Sequence, residues 1–186
     1  MGAPKRLRKT YETPTMKWNK ERIDEEHKLK DAYGLKTLKE LWRAKSELRK
    51  IRGNARKVLS TNATEEVGRQ IVARLARYNI VRQDAKTDDL LLINVESLLD
   101  RRLQTIVFKR GMANTMNQSR QLITHGFVAI DGKRVTSPSY LVKAAEEQGL
   151  SYYKPIKLEK PGSAKAQQGE TAKSNAESEK PMEAKQ

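Results

Sequence analysis

The chain has 186 residues with 37% hydrophobic and 33% charged content, enough for one domain or two small ones with modest cores. It contains no cysteine and two distant histidines, His27 and His125, which excludes disulfides, thiolate metal sites and thiol chemistry and leaves no zinc ligand set, so no metal is expected. A net charge of +15 points to a polyanionic partner, while the lack of any G-x-G-x-x-G or Walker loop argues against a nucleotide cofactor, and none is expected.

Residues 1–18 lack periodicity and hold two prolines. Tyr11 and Trp18 alternate there with Lys5, Arg6, Arg8, Lys9 and Lys17, a pattern suited to a basic arm that orders on RNA, with rings stacking on bases and cations meeting phosphate. No apolar segment follows this basic start, and no apolar run is long enough to cross a bilayer. A soluble, cytoplasmic protein without a membrane partner is therefore expected.

Residues 19–93 read as a helical region. Asn19 is placed to cap a charged helix that runs to about Tyr33 and stops at Gly34. Thr37 and Glu40 have the spacing of a capping box. The helix they open carries Leu38, Leu41, Trp42, Lys45, Leu48, Ile51, Ala55 and Val58 on one stripe. Arg43, Arg49, Lys50, Arg52, Arg56 and Lys57 lie opposite, and acids all but vanish after Glu47. Of these, Arg49, Arg52, Arg56 and Lys57 are candidate RNA contacts. A third helix is expected from Asn62 to Tyr78, with Val67, Ile71, Leu75 and Tyr78 inward. It and residues 88–93 lie in an acidic block, residues 61–100, with 5 Lys/Arg against 7 Asp/Glu, and read as scaffold.

The richest stretch is 101–137, where 7 Lys/Arg face a single acid, Asp131. Residues 94–153 form the unit that contains it. A helix from Asn94 to Arg110, closed by Gly111, buries Leu98, Leu99, Leu103, Ile106 and Val107. Arg102 and Arg110 then flank the stripe, and Arg101 and Lys109 stand on an exposed face. Thr115 and Gln118 form a second capping box for a helix ending at Gly126, with Ser119, Leu122 and Ile123 inward and Asn117, Arg120, Gln121 and Thr124 outward. Asp131-Gly132 is the signal for a two-residue hairpin turn. It sets Ile130 against Lys133, Ala129 against Arg134 and Val128 against Val135. One face, with Val128, Ile130 and Val135, then packs on the helices, and Arg134 projects from the other. The remaining segment, 154–186, is mostly Ala, Lys, Glu, Gln, Ser, Gly and Pro and is expected to be disordered. The fold class is mainly α with a small β-hairpin.

The run R-R-L-Q-T-I-V-F-K-R-G at 101–111, followed by S-R-Q-L-I-T-H-G-F-V-A-I-D-G-K-R-V-T-S-P-S-Y-L-V at 119–142, resembles the S-four RNA-binding module. P-K-R-L-R-K-T-Y-E-T-P, W-N-K-E-R-I-D-E-E and K-E-L-W are similar to one family that bears it, the small-subunit ribosomal S-four proteins of archaeal/eukaryotic type. The likeness spans residues 3–155. It implies a non-enzymatic constituent of the small ribosomal subunit that binds 16S-type rRNA, nucleates assembly of the subunit body, and acts on accuracy beside its neighbour S-five near the mRNA entrance. Carried over by position, the RNA-facing residues are Arg101, Arg102, Arg110, Ser119, Arg120, His125, Lys133 and Arg134; Lys109, Gln118 and Trp18 join them from the residues alone. Three departures stand out. The cysteine cluster that binds zinc in many bacterial relatives is missing, Ser119 stands where alanine is common, and Asn117 where a cation is common. Two other readings compete: an RNA-modifying enzyme using the module as a clamp, and a helix-turn-helix DNA binder. The first lacks a catalytic cluster, and the second has only Asn117, Arg120 and Gln121 as base readers and no obvious dimer helix.

Overall fold

The computed structural model describes residues 9–61 and 65–155. Lys5, Arg6 and Arg8, the expected start of the third helix at Asn62, and all but the first two residues of the 154–186 tail lie outside the described residues.

The first helix, α1 (Lys20–Ala32), begins as its local signals dictate. The Asn19 side chain accepts from the Arg22 amide at 3.2 Å, and Gly34 takes the left-handed φ of +56°. After it comes α2 (Leu38–Thr61), then α3 (Glu65–Ala76) and a short 3-10 turn at Thr87–Leu91. Leu48, Ala55, Val72, Leu75, Leu90, Ile93 and Leu98 form one core, and Leu35, Leu41 and Leu99 a second. Each fully buried leucine contributes about 1.5–3 kcal/mol, and further buried residues, among them Leu103, Val107, Ile123, Val128 and Val142, form apolar core in the C-terminal part of the described chain. The inward face of α3 differs from the expectation: Val67 is exposed, and Val72 takes the buried place beside Leu75. Gly68 packs against Thr87, where a Cβ would collide with the threonine hydroxyl.

The single helix expected from Asn94 to Arg110 is two, α4 (Val95–Asp100) and α5 (Leu103–Lys109). The cause is a distant segment. Arg102 forms an antiparallel bridge with Leu141, the Leu103 amide donates to the Tyr140 carbonyl at 2.8 Å, and the Val142 amide donates to the Arg101 carbonyl at 3.0 Å. Amides and carbonyls that would close a helical turn are thus given to residues 140–142, and the Thr105 hydroxyl bonds the Leu99 carbonyl left at the break. Asn94 sits at the N-cap of α4 without making the side-chain bond.

Beyond Gly111, at φ +71°, α6 (Met116–Thr124) starts on Thr115, whose hydroxyl accepts from the Gln118 amide at 3.1 Å. Then β1 (Val128–Ile130) turns through Asp131 and Gly132, both left-handed, into β2 (Lys133–Arg134) in the expected register. A third strand, β3 (Leu150–Tyr152), follows α7 (Ala144–Gln148) and pairs with the free edge of β1, which makes β1 central in the order β2-β1-β3. Val128, Ala129 and Ile130 are consequently all buried, rather than one face only. Mainly helical with a small antiparallel sheet, the fold class is as expected.

Candidate nucleic-acid interface

Where the arm's described part lies is fixed by a buried carboxylate. Glu26, 1% exposed on α1, accepts from Arg22 Nη1 at 2.8 Å, Lys45 Nζ at 2.8 Å and Trp42 Nε1 at 3.1 Å. Burial pushes its carboxyl pKa up, but the bonds from Lys45, Trp42 and Arg22 outweigh that and hold it below the usual value. The other terminal nitrogen of Arg22 donates to the carbonyls of Met16 and Lys17, the Glu12 amide donates to Ser46 Oγ, and Glu12 pairs with Arg49. Residues 12–17 are therefore fastened to α1 and α2 before any ligand arrives. Tyr11 leans on Trp42, with ring centres 6.2 Å apart, instead of standing ready for a base. Trp18 remains 93% exposed, with Lys9 and Lys17 also in solvent.

On α2, Arg56 and Lys57 are exposed, while Arg52 turns inward and donates to the Ile93 carbonyl at 2.6 Å. Glu40 does not turn back to cap its own helix. Its Oε1 takes Arg120 Nη2 at 2.8 Å, and its Oε2 takes Arg102 Nη2 at 2.6 Å and Arg120 Nη1 at 3.3 Å.

The module's cations thus divide into two groups. Arg101 is buried against Glu147 and the Val142 carbonyl, and Arg102 is buried against Glu40, because the chain break between α4 and α5 turns both side chains inward. This corrects the placement of Arg101 on an exposed face. Lys109 pairs with Asp100 at 3.0 Å, and Arg120 is half-buried on Glu40. Ser119 is fully buried, its hydroxyl donating to the Gln104 carbonyl at 2.7 Å, and Gln118 Oε1 accepts from the Asn114 amide. Both polar side chains serve the frame, Ser119 because it stands on the inward stripe of α6.

Against these, Arg110, Lys133 and Arg134 are exposed and meet no carboxylate among the described residues. Arg134 lies over Gly126, with its guanidinium 3.4 Å from the His125 carbonyl. His125 caps α6 in solvent beside Phe127, ring centres 6.4 Å apart. Gln121 and Asn117 expose neutral amide donors on the same side of α6 as Arg120, whereas the Thr124 hydroxyl donates back to the carbonyls of Arg120 and Gln121. An array of unpaired cations and amide donors on rigid elements suits phosphate and sugar oxygens.

Sequence reasoning missed Glu40 and Gln104 as organisers of this surface. Gln104 is 1% exposed and its Nε2 donates to the carbonyls of Tyr33, Gly34 and Met116. A glutamine on the apolar stripe of α5 was the one available signal. No helix among the described residues is long and apolar enough to cross a membrane, and no group of His, Asp or Glu among them could hold a metal ion.

Comparison with known proteins agrees with this geometry. Residues 101–147 match the family described as the S4 domain. The chain is 47% identical over 155 residues to the small ribosomal subunit protein uS4 of Methanococcus aeolicus, covering 82% of this chain and 88% of that protein. It is 47% identical over 156 residues to uS4 of Saccharolobus solfataricus, covering 82% and 86%. With uS4 of Thermoplasma acidophilum the identity is 46% over 157 residues, covering 82% and 79%.

Proposed function

The chain belongs to the uS4 family of small ribosomal subunit proteins, and on that premise we propose that it binds small-subunit, 16S-type rRNA through the exposed cations of its S4 module and of α2. It is a structural constituent of the small ribosomal subunit in the cytoplasm and acts by binding, without catalysis. The module holds a junction of rRNA helices in one arrangement and so nucleates assembly of the subunit body. The same reading carries a neighbouring protein S-five, a position near the mRNA entrance and an effect on accuracy. The family likeness of residues 3–155 supports these finer points.

The observation that carries the RNA reading is the sorting of the module's arginines and lysines. Those needed for the frame are given carboxylates, and Arg110, Lys133 and Arg134 are left in water without one among the described residues. Unpaired cations on a rigid hairpin raise the local potential at no further ordering cost, which is what binding a folded polyanion requires. Lys133→Ala combined with Arg134→Ala tests this. Each charge-assisted phosphate contact contributes about 1.5–3 kcal/mol. The double variant should therefore bind a small-subunit rRNA fragment at least about tenfold more weakly. The slope of log affinity on log salt should flatten by ~0.7–0.9 for each phosphate no longer neutralised. Unchanged affinity and slope in a filter-binding titration would remove the hairpin from the interface.

A further inference from the structure

Glu40 is one carboxylate shared by two guanidinium groups, and the two arginines are not equivalent. Arg102 is 6% exposed, and its Nε is shut away from water without a partner, so its charge serves the frame. The Arg120 side chain is 22% exposed. Both of its terminal nitrogens are directed at Glu40, and Nη1 also lies 3.4 Å from Gln104 Oε1. Gln104 is itself immobilised by three carbonyls. The Arg120 guanidinium is thereby fixed in plane and direction, on a side chain that keeps part of its surface in solvent. An arginine on a loose stem neutralises whichever phosphate arrives. One held by a two-pronged contact offers a preset edge that fits a phosphate in few poses. The carboxylate adds repulsion, because a phosphate approaching from its side meets a negative charge next to the cation.

We propose that Glu40 is a specificity-determining residue of the RNA surface, one that holds Arg120 in a single pose and bars phosphates from one side, so that it sets which RNA is accepted more than how tightly. The proposal rests on the RNA-binding reading of the module. Glu40 lies on α2, outside residues 101–147, so the helical N-terminal region tunes the module's selectivity from beneath. It acts as a positioning residue: its effect on RNA passes through Arg120.

The test uses the full-length chain and two variants, Glu40→Gln and Arg120→Lys. Each is titrated against a small-subunit rRNA fragment and against an unrelated structured RNA of equal length, across a range of potassium chloride. Glu40→Gln releases Arg120, so binding to the unrelated RNA should rise several-fold and its salt slope steepen by up to ~0.7–0.9. The cognate fragment should gain less, and the preference ratio should fall. Arg120→Lys keeps the charge but loses the two-pronged contact. The ratio should fall again while the slope on the unrelated RNA stays put, a combination that mere destabilisation does not produce. Circular dichroism checks folding, and if Glu40→Gln is unfolded, Arg120→Lys decides alone. Preference ratios within about twofold of the parent in the folded variants overturn the role of Glu40 and leave the RNA reading intact. A parent chain with no preference for its rRNA overturns both.

Discussion

Replacing Glu26 with alanine should be the most damaging single change in the N-terminal half. Three donors converge on this carboxylate, two of them cationic, and it is 1% exposed. Hydrogen bonds to a charged group contribute about 1.5–3 kcal/mol each. The Lys45 side chain is 38% exposed, so its share is discounted for solvent screening, whereas Arg22 is 23% exposed and keeps more of its own. Removing one end of a buried ionic contact costs about 3–5 kcal/mol, and we expect about 4 kcal/mol for Glu26→Ala. At this chain size that corresponds to a fall in Tm of roughly 8–16 °C. The loss should also be local. Arg22 keeps Met16 and Lys17 in place with its second nitrogen, so its release should speed proteolytic cutting within residues 12–18. A urea titration followed by far-ultraviolet circular dichroism gives the free energy, and limited proteolysis reports on the strap. A loss below about 1 kcal/mol with unchanged cleavage would show that the three donors find water or other acceptors, and that the carboxylate does not organise this end of the molecule.

Acid should weaken the fold through two carboxylates. Burial raises the carboxyl pKa of both Glu26 and Glu40. The bonds from Lys45, Trp42 and Arg22 in one case, and from Arg120 and Arg102 in the other, bring each below 4.5. A depressed folded value contributes stability that is complete above the unfolded pKa and is lost as pH falls through the folded one. Unfolding free energy should therefore drop below pH 4.5, and less steeply in Glu40→Gln; an identical acid limb in that variant would contradict the assignment. Gly126 and Gly132 form a matched pair, with φ of +74° and +76°. Alanine at Gly132 meets open space and carries only the backbone cost of about 1 kcal/mol, whereas at Gly126 its Cβ lands on the Arg134 guanidinium. Gly126→Ala should therefore lower both stability and RNA affinity, and Gly132→Ala stability alone, as thermal melts and filter binding would show.

Most signals that act within a turn of chain were legible in the sequence, although Asn94 makes no capping bond and Glu40 is drawn to Arg102 and Arg120 instead of closing a capping box. The Asn19 cap, the Thr115 cap, the left-handed glycines and the Asp131-Gly132 register all depend on neighbours a few residues away, and all stand where periodicity and turn chemistry put them. What escaped is what distant partners decide. The break at Arg101 and Arg102 exists because residues 140–142 take over their backbone groups, and no propensity at 101–102 announces it. Once broken, the chain turns both arginines inward, so charge density on 101–137 overstated the exposed charge. Ser119 shows two lines of reading in conflict: helical periodicity sets it inside, positional likeness to a family sets it on RNA, and its fully buried hydroxyl follows the periodicity. The exposure of Arg134 was readable from the hairpin register, whereas Lys133, paired with the buried Ile130, is exposed in spite of it.

The third strand bears on how the molecule is made. β1 is paired on one side by β2, but its other edge waits for Leu150–Tyr152, which lie past the 101–147 stretch and past α7. A lone two-stranded ribbon is marginal in water, and an open apolar edge invites pairing with a foreign strand. During synthesis the module therefore stays unfinished until Tyr152 has emerged from the exit tunnel. A fragment trimmed at residue 147 would carry every cation of the hairpin on a scaffold with one seam left unsewn.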